Sequence, residues 1–106
     1  MNKYKAKSVK TEDGHFASQK EYRRWCELNL LQKGRRISEL VRQVKYDLVV
    51  EGVKICAYIA DFVYRDHNGC LIVEDVKGMK SGPAYQMFKL KKNLMLAIYG
   101  INVVEI

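Results

Sequence analysis

The sequence predicts an α/β fold: a mixed sheet with a three-stranded antiparallel meander, flanked by helices in the order αβββαβ. Two segments, near residues 18–34 and 83–99, repeat apolar residues at helical spacing. Between them, residues 40–50, 53–64 and 70–77 are rich in β-branched and aromatic residues. Glu51-Gly52 and Asn68-Gly69 punctuate those three stretches as turns, which joins neighbouring strands antiparallel.

At 106 residues the chain has room for one modest core. Hydrophobic residues make up 48% and charged residues 29%, a balance that argues against disorder. No apolar run approaches the roughly 18–20 residues of a membrane span, and the start lacks the apolar stretch of a secretory signal. Cys26, Cys56 and Cys70 form no CxxC pair and read as reduced, mostly buried thiols of a cytoplasmic protein. No zinc site is expected, because neither His15 nor His67 has ligand spacing. The net charge of +7 is uneven. Residues 1–45 carry 12 Lys or Arg against 5 Asp or Glu, whereas residues 46–106 carry 7 of each. A basic first half beside a locally acidic centre is one footprint of a polyanion binder, although many small proteins are simply basic.

Residues 1–15 read as a basic arm and 16–106 as the folded domain. Ser18 is the expected N-cap of the first helix, with Glu21 completing a capping box. Tyr22, Trp25, Cys26, Leu28, Leu30 and Leu31 form its apolar side, and Gly34 ends it. The first strand runs to Val50 and the second from Val53 to Tyr64. The third runs from Cys70 to Lys77. Pro83 suits the first turn of the second helix, which Tyr85, Phe88, Leu94, Met95 and Ile98 turn toward the sheet. Gly100 stops that helix before a last short strand, residues 101–106.

Strand alternation places Ala57, Ile59, Asp61 and Val63 on one face, and Leu71, Val73, Asp75 and Lys77 on one face of the next strand. It also turns Glu74 away from Asp75. If the Asn-Gly hairpin pairs these strands, Asp61 and Asp75 approach each other. Two half-buried carboxylates repel unless a proton or a cation offsets them. Oxygen ligands of this kind suit Mg²⁺ or Mn²⁺. Alternatively, both are solvated residues paired with Lys77.

These residues also carry a resemblance. Phe16-Ala17-Ser18-x-x-Glu21, Arg42-Gln43-Val44, Tyr58-x-Ala60-Asp61-Phe62, Val73-Glu74-Asp75-Val76-Lys77-Gly78 and the segment from Tyr85 through Lys92 resemble the PD-(D/E)xK nuclease superfamily. The closer likeness is to small phage proteins similar to archaeal-type Holliday-junction resolvases. It covers residues 16–106, with one departure: Ala17 stands where that pattern has Asp. The resemblance implies a restriction-endonuclease-like core and metal-dependent hydrolysis of DNA phosphodiester bonds, with a preference for branched DNA and a homodimeric enzyme. It implies Asp61, Asp75 and Glu21 as the Mg²⁺ or Mn²⁺ ligands and Lys77 as the residue that orients or helps deprotonate the attacking water. Arg23, Arg24, Arg42, Gln43, Lys80, Lys89, Lys91 and Lys92 are the candidates for phosphate contacts. Alternatives are a nuclease for single-stranded, nicked or duplex DNA, or a basic nucleic-acid-binding module without catalysis.

Overall fold

In a computed structural model, residues 8–106 are described. The element order is β1 (Val9–Thr11), β2 (Gly14–Phe16), α1 (Gln19–Lys33), β3 (Ser38–Val50), β4 (Val53–Arg65), β5 (Leu71–Asp75), α2 (Pro83–Tyr99) and β6 (Val104–Glu105). The main sheet has the order β3-β4-β5-β6. Its first three strands are an antiparallel meander, and β6 joins β5 in parallel after the α2 crossover. The chain is therefore an α/β domain with a mixed sheet. No helix among the described residues is long and apolar enough to cross a membrane.

One helix packs on each face. Leu28 and Trp25 of α1 meet Ile37, Phe62 and Tyr64 in one core cluster. Phe88 and Met95 of α2 meet Leu48, Tyr58, Ala60, Val63 and Val73 in the other. The helix ends follow the local signals. Ser18 Oγ accepts the Glu21 amide at 3.1 Å, Pro83 opens α2, and Gly100 closes it in the left-handed region at φ 69°.

Several sequence expectations are corrected. Lys3, Lys5 and Lys7 lie outside the described residues, but Val9–His15, expected within the arm, pairs with Phe16 into the β1–β2 hairpin. Its Phe16 is fully buried against Tyr22 and Trp25, so apolar packing tethers it. Leu30 and Leu31 are exposed, since the sheet reaches only the side of α1 that carries Leu28 and Trp25. Cys26 and Cys70 are exposed, on a helix flank and at a turn, and Cys56 is half-buried at the margin of the α2-side core. The third strand stops at Asp75 rather than Lys77, although the backbone pairing runs on: the Ile106 amide donates to the Asp75 carbonyl at 2.9 Å and the Lys77 amide to the Ile106 carbonyl at 3.2 Å.

The most consequential correction concerns β4. Tyr58 and Ala60 lie in the α2-side core, yet Phe62 and Tyr64, at the same parity, lie in the α1-side core. Val63, of opposite parity, joins the α2-side core. The alternation therefore changes phase between Ala60 and Phe62, at Asp61. Across the ladder, Arg42↔Phe62 and Val44↔Ala60 keep one register and bracket Gln43 opposite Asp61. Gln43 has φ 57°, a left-handed conformation rare for a non-glycine residue inside a strand. That local break rotates the pleat. Ala57 and Ile59, expected beside Asp61, do not share the buried face of Val63; Ile59 is 53% exposed.

Candidate active site

Four elements converge where β4 changes phase. The first turn of α1 contributes Glu21, and β3 contributes Gln43. Asp61 comes from β4, and Asp75 with Lys77 comes from the end of β5 and the residues after it. Gln43 Nε2 donates to Glu21 Oε2 at 3.3 Å and to Asp61 Oδ1 at 3.4 Å, so one amide spans two carboxylates. The Val76 amide donates to Asp61 Oδ2 at 2.8 Å. That bond crosses from β5's end to β4, which brings Asp61 and Asp75 to the same place.

Asp75 is buried and held at both oxygens. The Tyr58 hydroxyl donates to Oδ2 at 2.6 Å, and Lys77 Nζ lies 2.9 Å from Oδ1. Lys77 Nζ also sits 3.8 Å from the centre of the Phe88 ring, a cation–π contact. Glu74 faces the opposite way, as alternation predicts. Its carboxylate is fully buried, takes Arg24 in two bonds of 2.8 and 2.6 Å, and accepts the Tyr64 hydroxyl. Adjacent carboxylates on β5 thus have separate fates: Glu74 ties α1 to the sheet, and Asp75 enters the carboxylate cluster.

The electrostatics of the cluster are unfavourable to charge. Burial is the main cause that pushes Asp61 up to about 7; Asp75 and Glu21 add repulsion, while the Val76 amide and Lys77 offset part. Burial also raises Glu21, and Arg42, 3.6 Å from its carboxylate, opposes the shift. Glu21 therefore does more than complete a helix cap. Its backbone amide meets Ser18, while its carboxylate points at Arg42 and Gln43.

A polar cluster short of positive charge is chemically suited to a hard cation. Asp61, Asp75 and Glu21 offer oxygen donors, and Mg²⁺ typically needs only one or two carboxylates besides water and phosphate. Among the described residues, no three His, Cys, Asp or Glu side chains already stand as a closed ligand set. Beside Asp75 and Lys77 opens a cleft of about 310 Å³, walled by Tyr58, Ile59, Met87 and Phe88 with Lys91 at its edge. A larger hollow of about 570 Å³ near Arg35, Arg36 and His67 contains none of the cluster residues.

The basic candidates separate. Arg23 and Lys89 are exposed, and Lys91 borders the cleft. Arg24 is committed to Glu74. Arg42 lies 3.7 Å over the Phe16 ring and donates to the His15 carbonyl at 2.7 Å. Lys92 bonds Glu105 at 2.9 Å, Lys80 stands 3.9 Å from the same carboxylate, and Tyr85 donates to it at 2.8 Å. Arg24, Arg42 and Lys92 thus neutralise the chain's own carboxylates or backbone. Tyr58 and Phe88 are the site neighbours that sequence reasoning missed. Strict alternation puts Tyr58 on the opposite face from Asp61, and no local signal marks the phase change.

A family model described as "Protein of unknown function (DUF1064)" matches residues 1–102, and the chain belongs to that family. No curated protein and no solved structure matches it.

Proposed function

We propose that this member of the DUF1064 family is a metal-dependent DNA endonuclease with a restriction-endonuclease-like core, hydrolysing phosphodiester bonds in branched DNA. One observation carries the reading. Glu21, Asp61 and the Asp75–Lys77 pair lie in three separate stretches of sequence, and they meet at one place where the carboxylates are held against their own repulsion. Such an arrangement is costly for stability alone and useful for holding a cation.

Asp61 and Asp75 are the proposed ligands, with Glu21 reaching the same ion directly or through water. Mg²⁺ or Mn²⁺, when bound, would polarise a phosphoryl oxygen and lower the pKa of a water. Lys77 is positioned by Asp75 and the Phe88 face to orient the nucleophile and offset charge that develops on the phosphate. Gln43, exposed beside both Glu21 and Asp61, can donate to the same phosphate or water. Of the basic residues singled out for phosphate contacts, Arg23, Lys89 and Lys91 are the ones not held in an ion pair with the chain's own carboxylates, and they supply the backbone contacts. Binding is dominated by phosphate and is therefore strongly salt-dependent. Symmetric cutting of two strands calls for a two-fold homodimer. The resemblance implies a phage-encoded enzyme of the host cytoplasm.

The test is cleavage of four-way junction, nicked, duplex and single-stranded DNA by the purified protein in Mg²⁺, Mn²⁺ or EDTA. Metal-dependent cutting is expected, with junctions preferred. Equal cutting of linear duplex would remove the preference for branched DNA. Binding without cleavage of any substrate, in either metal, would replace the enzyme by a nucleic-acid-binding module. Asp75→Ala should abolish cleavage and leave DNA binding intact.

A further inference from the structure

We propose that Tyr58 is a positioning residue that fixes the orientation of the Asp75 carboxylate for a divalent cation. The inference rests on the nuclease reading, which makes Asp75 a ligand. Tyr58 is 3% exposed, and its ring packs against Phe88 at a centroid distance of 6.3 Å. The phenol cannot swing away without opening the α2-side core. From that fixed ring, the hydroxyl donates to Asp75 Oδ2 at 2.6 Å, while Lys77 holds Oδ1 at 2.9 Å. The terminal torsion of an aspartate is otherwise broad, so two donors on its two oxygens set the plane of the carboxylate. Each oxygen retains further acceptor capacity, which leaves Asp75 able to bind an ion with its plane already chosen.

The two donors are not equivalent. Lys77 is a flexible ammonium proposed to act on the water or phosphate, and any such engagement loosens its hold on Oδ1. Tyr58 walls the cleft but is only 3% exposed and is fixed by its packing on Phe88, so substrate does not draw its hydroxyl away from Asp75. It keeps Asp75 aligned while Lys77 works. Partners that orient a metal ligand typically contribute 10–100-fold in metal affinity. The effect should depend on the ion. Mg²⁺ demands near-ideal octahedral geometry, whereas Ca²⁺ tolerates irregular coordination.

β5 supplies its own control. Tyr64 donates to Glu74 on the opposite face, so Tyr64→Phe removes the same buried phenol hydroxyl from a carboxylate one residue away. A merely structural hydroxyl would make the two variants alike. Mg²⁺ and Ca²⁺ binding to wild type, Tyr58→Phe and Tyr64→Phe should be measured by calorimetry on the full chain, with melting temperatures recorded alongside. The expected result is Mg²⁺ affinity about 10–100-fold weaker in Tyr58→Phe, a smaller loss for Ca²⁺, and wild-type affinities in Tyr64→Phe. In the wild type, Mg²⁺ should also perturb tyrosine near-ultraviolet absorption, a readout that stands even if Tyr58→Phe folds poorly. Unchanged Mg²⁺ affinity in Tyr58→Phe, equal losses in both variants, or a silent tyrosine spectrum on Mg²⁺ binding would overturn the role of Tyr58 alone. A wild-type chain that binds neither ion would overturn the metal reading with it.

Discussion

Asp61→Asn removes a charge that the fold holds unwillingly, and the variant should be more stable than the wild type at alkaline pH. Burial, reinforced by Asp75 and Glu21, raises Asp61 from an ordinary 3.8 to about 7. Each unit is worth about 1.4 kcal/mol, so ionised Asp61 costs at most ~4 kcal/mol from a shift of that size. The side chain is half-buried, and solvent screening reduces the figure to about 2 kcal/mol. The unfolded chain releases this proton near pH 3.8 and the native chain near 7. Between those values the native state binds more protons, so stability falls as pH rises. The contribution is fully present below 3.8 and is lost as pH climbs through about 7. An amide does not titrate, and its oxygen can still accept the Val76 N–H now 2.8 Å from Asp61. Urea unfolding in EDTA at pH 4, 6 and 8 should show the variant's advantage growing from near zero to about 2 kcal/mol. Mg²⁺ should reverse the order at pH 8 by stabilising only the wild type. A variant less stable at pH 8, or a difference indifferent to pH, would refute the reasoning.

The same titration predicts that cation binding at pH 6 releases close to one proton, read by calorimetry in buffers of different ionisation enthalpy. Absence of proton release would argue against Asp61 as a ligand. Glu74→Ala leaves the Arg24 guanidinium only the exposed Glu27 carboxylate at 3.5 Å and takes the acceptor from the Tyr64 hydroxyl, and should cost about 3 kcal/mol in urea unfolding; a loss below about 1 kcal/mol would mean that the pair does not tie α1 to the sheet. Gln43→Gly relieves a left-handed conformation and should raise stability by ~1 kcal/mol, while slowing cleavage by removing the amide between Glu21 and Asp61. A lower melting temperature would show that the side-chain bonds outweigh the strain.

Much of the frame was legible because it depends on short-range chemistry. Ser18 caps one helix with its side-chain oxygen, and Pro83 and Gly100 stand where their backbone preferences set the ends of the other. Asn68-Gly69 turns β4 into β5, and alternation separates Glu74 from Asp75. The same reasoning failed where distant partners decide the outcome. The side of α1 bearing Leu30 and Leu31 looked apolar in sequence, but no sheet covers it. Arg24 and Arg42 read as free cations until Glu74, Glu21 and the His15 carbonyl occupied them.

The sequence by itself determined the α/β class, the helix boundaries and the meander, which follow from period, turn chemistry and residue type acting over a few neighbouring positions. The roster of Glu21, Asp61, Asp75 and Lys77 came with the resemblance to a nuclease superfamily. Only the tertiary structure decided how the roster meets. Gln43 takes a left-handed backbone across from Asp61, and the pleat of β4 changes phase there. Tyr58 thereby reaches Asp75 from a position that strict alternation assigns to the other face. Face identity in a long strand depends on an uninterrupted pleat, and the interruption arises from packing between strands and helices far apart in the chain.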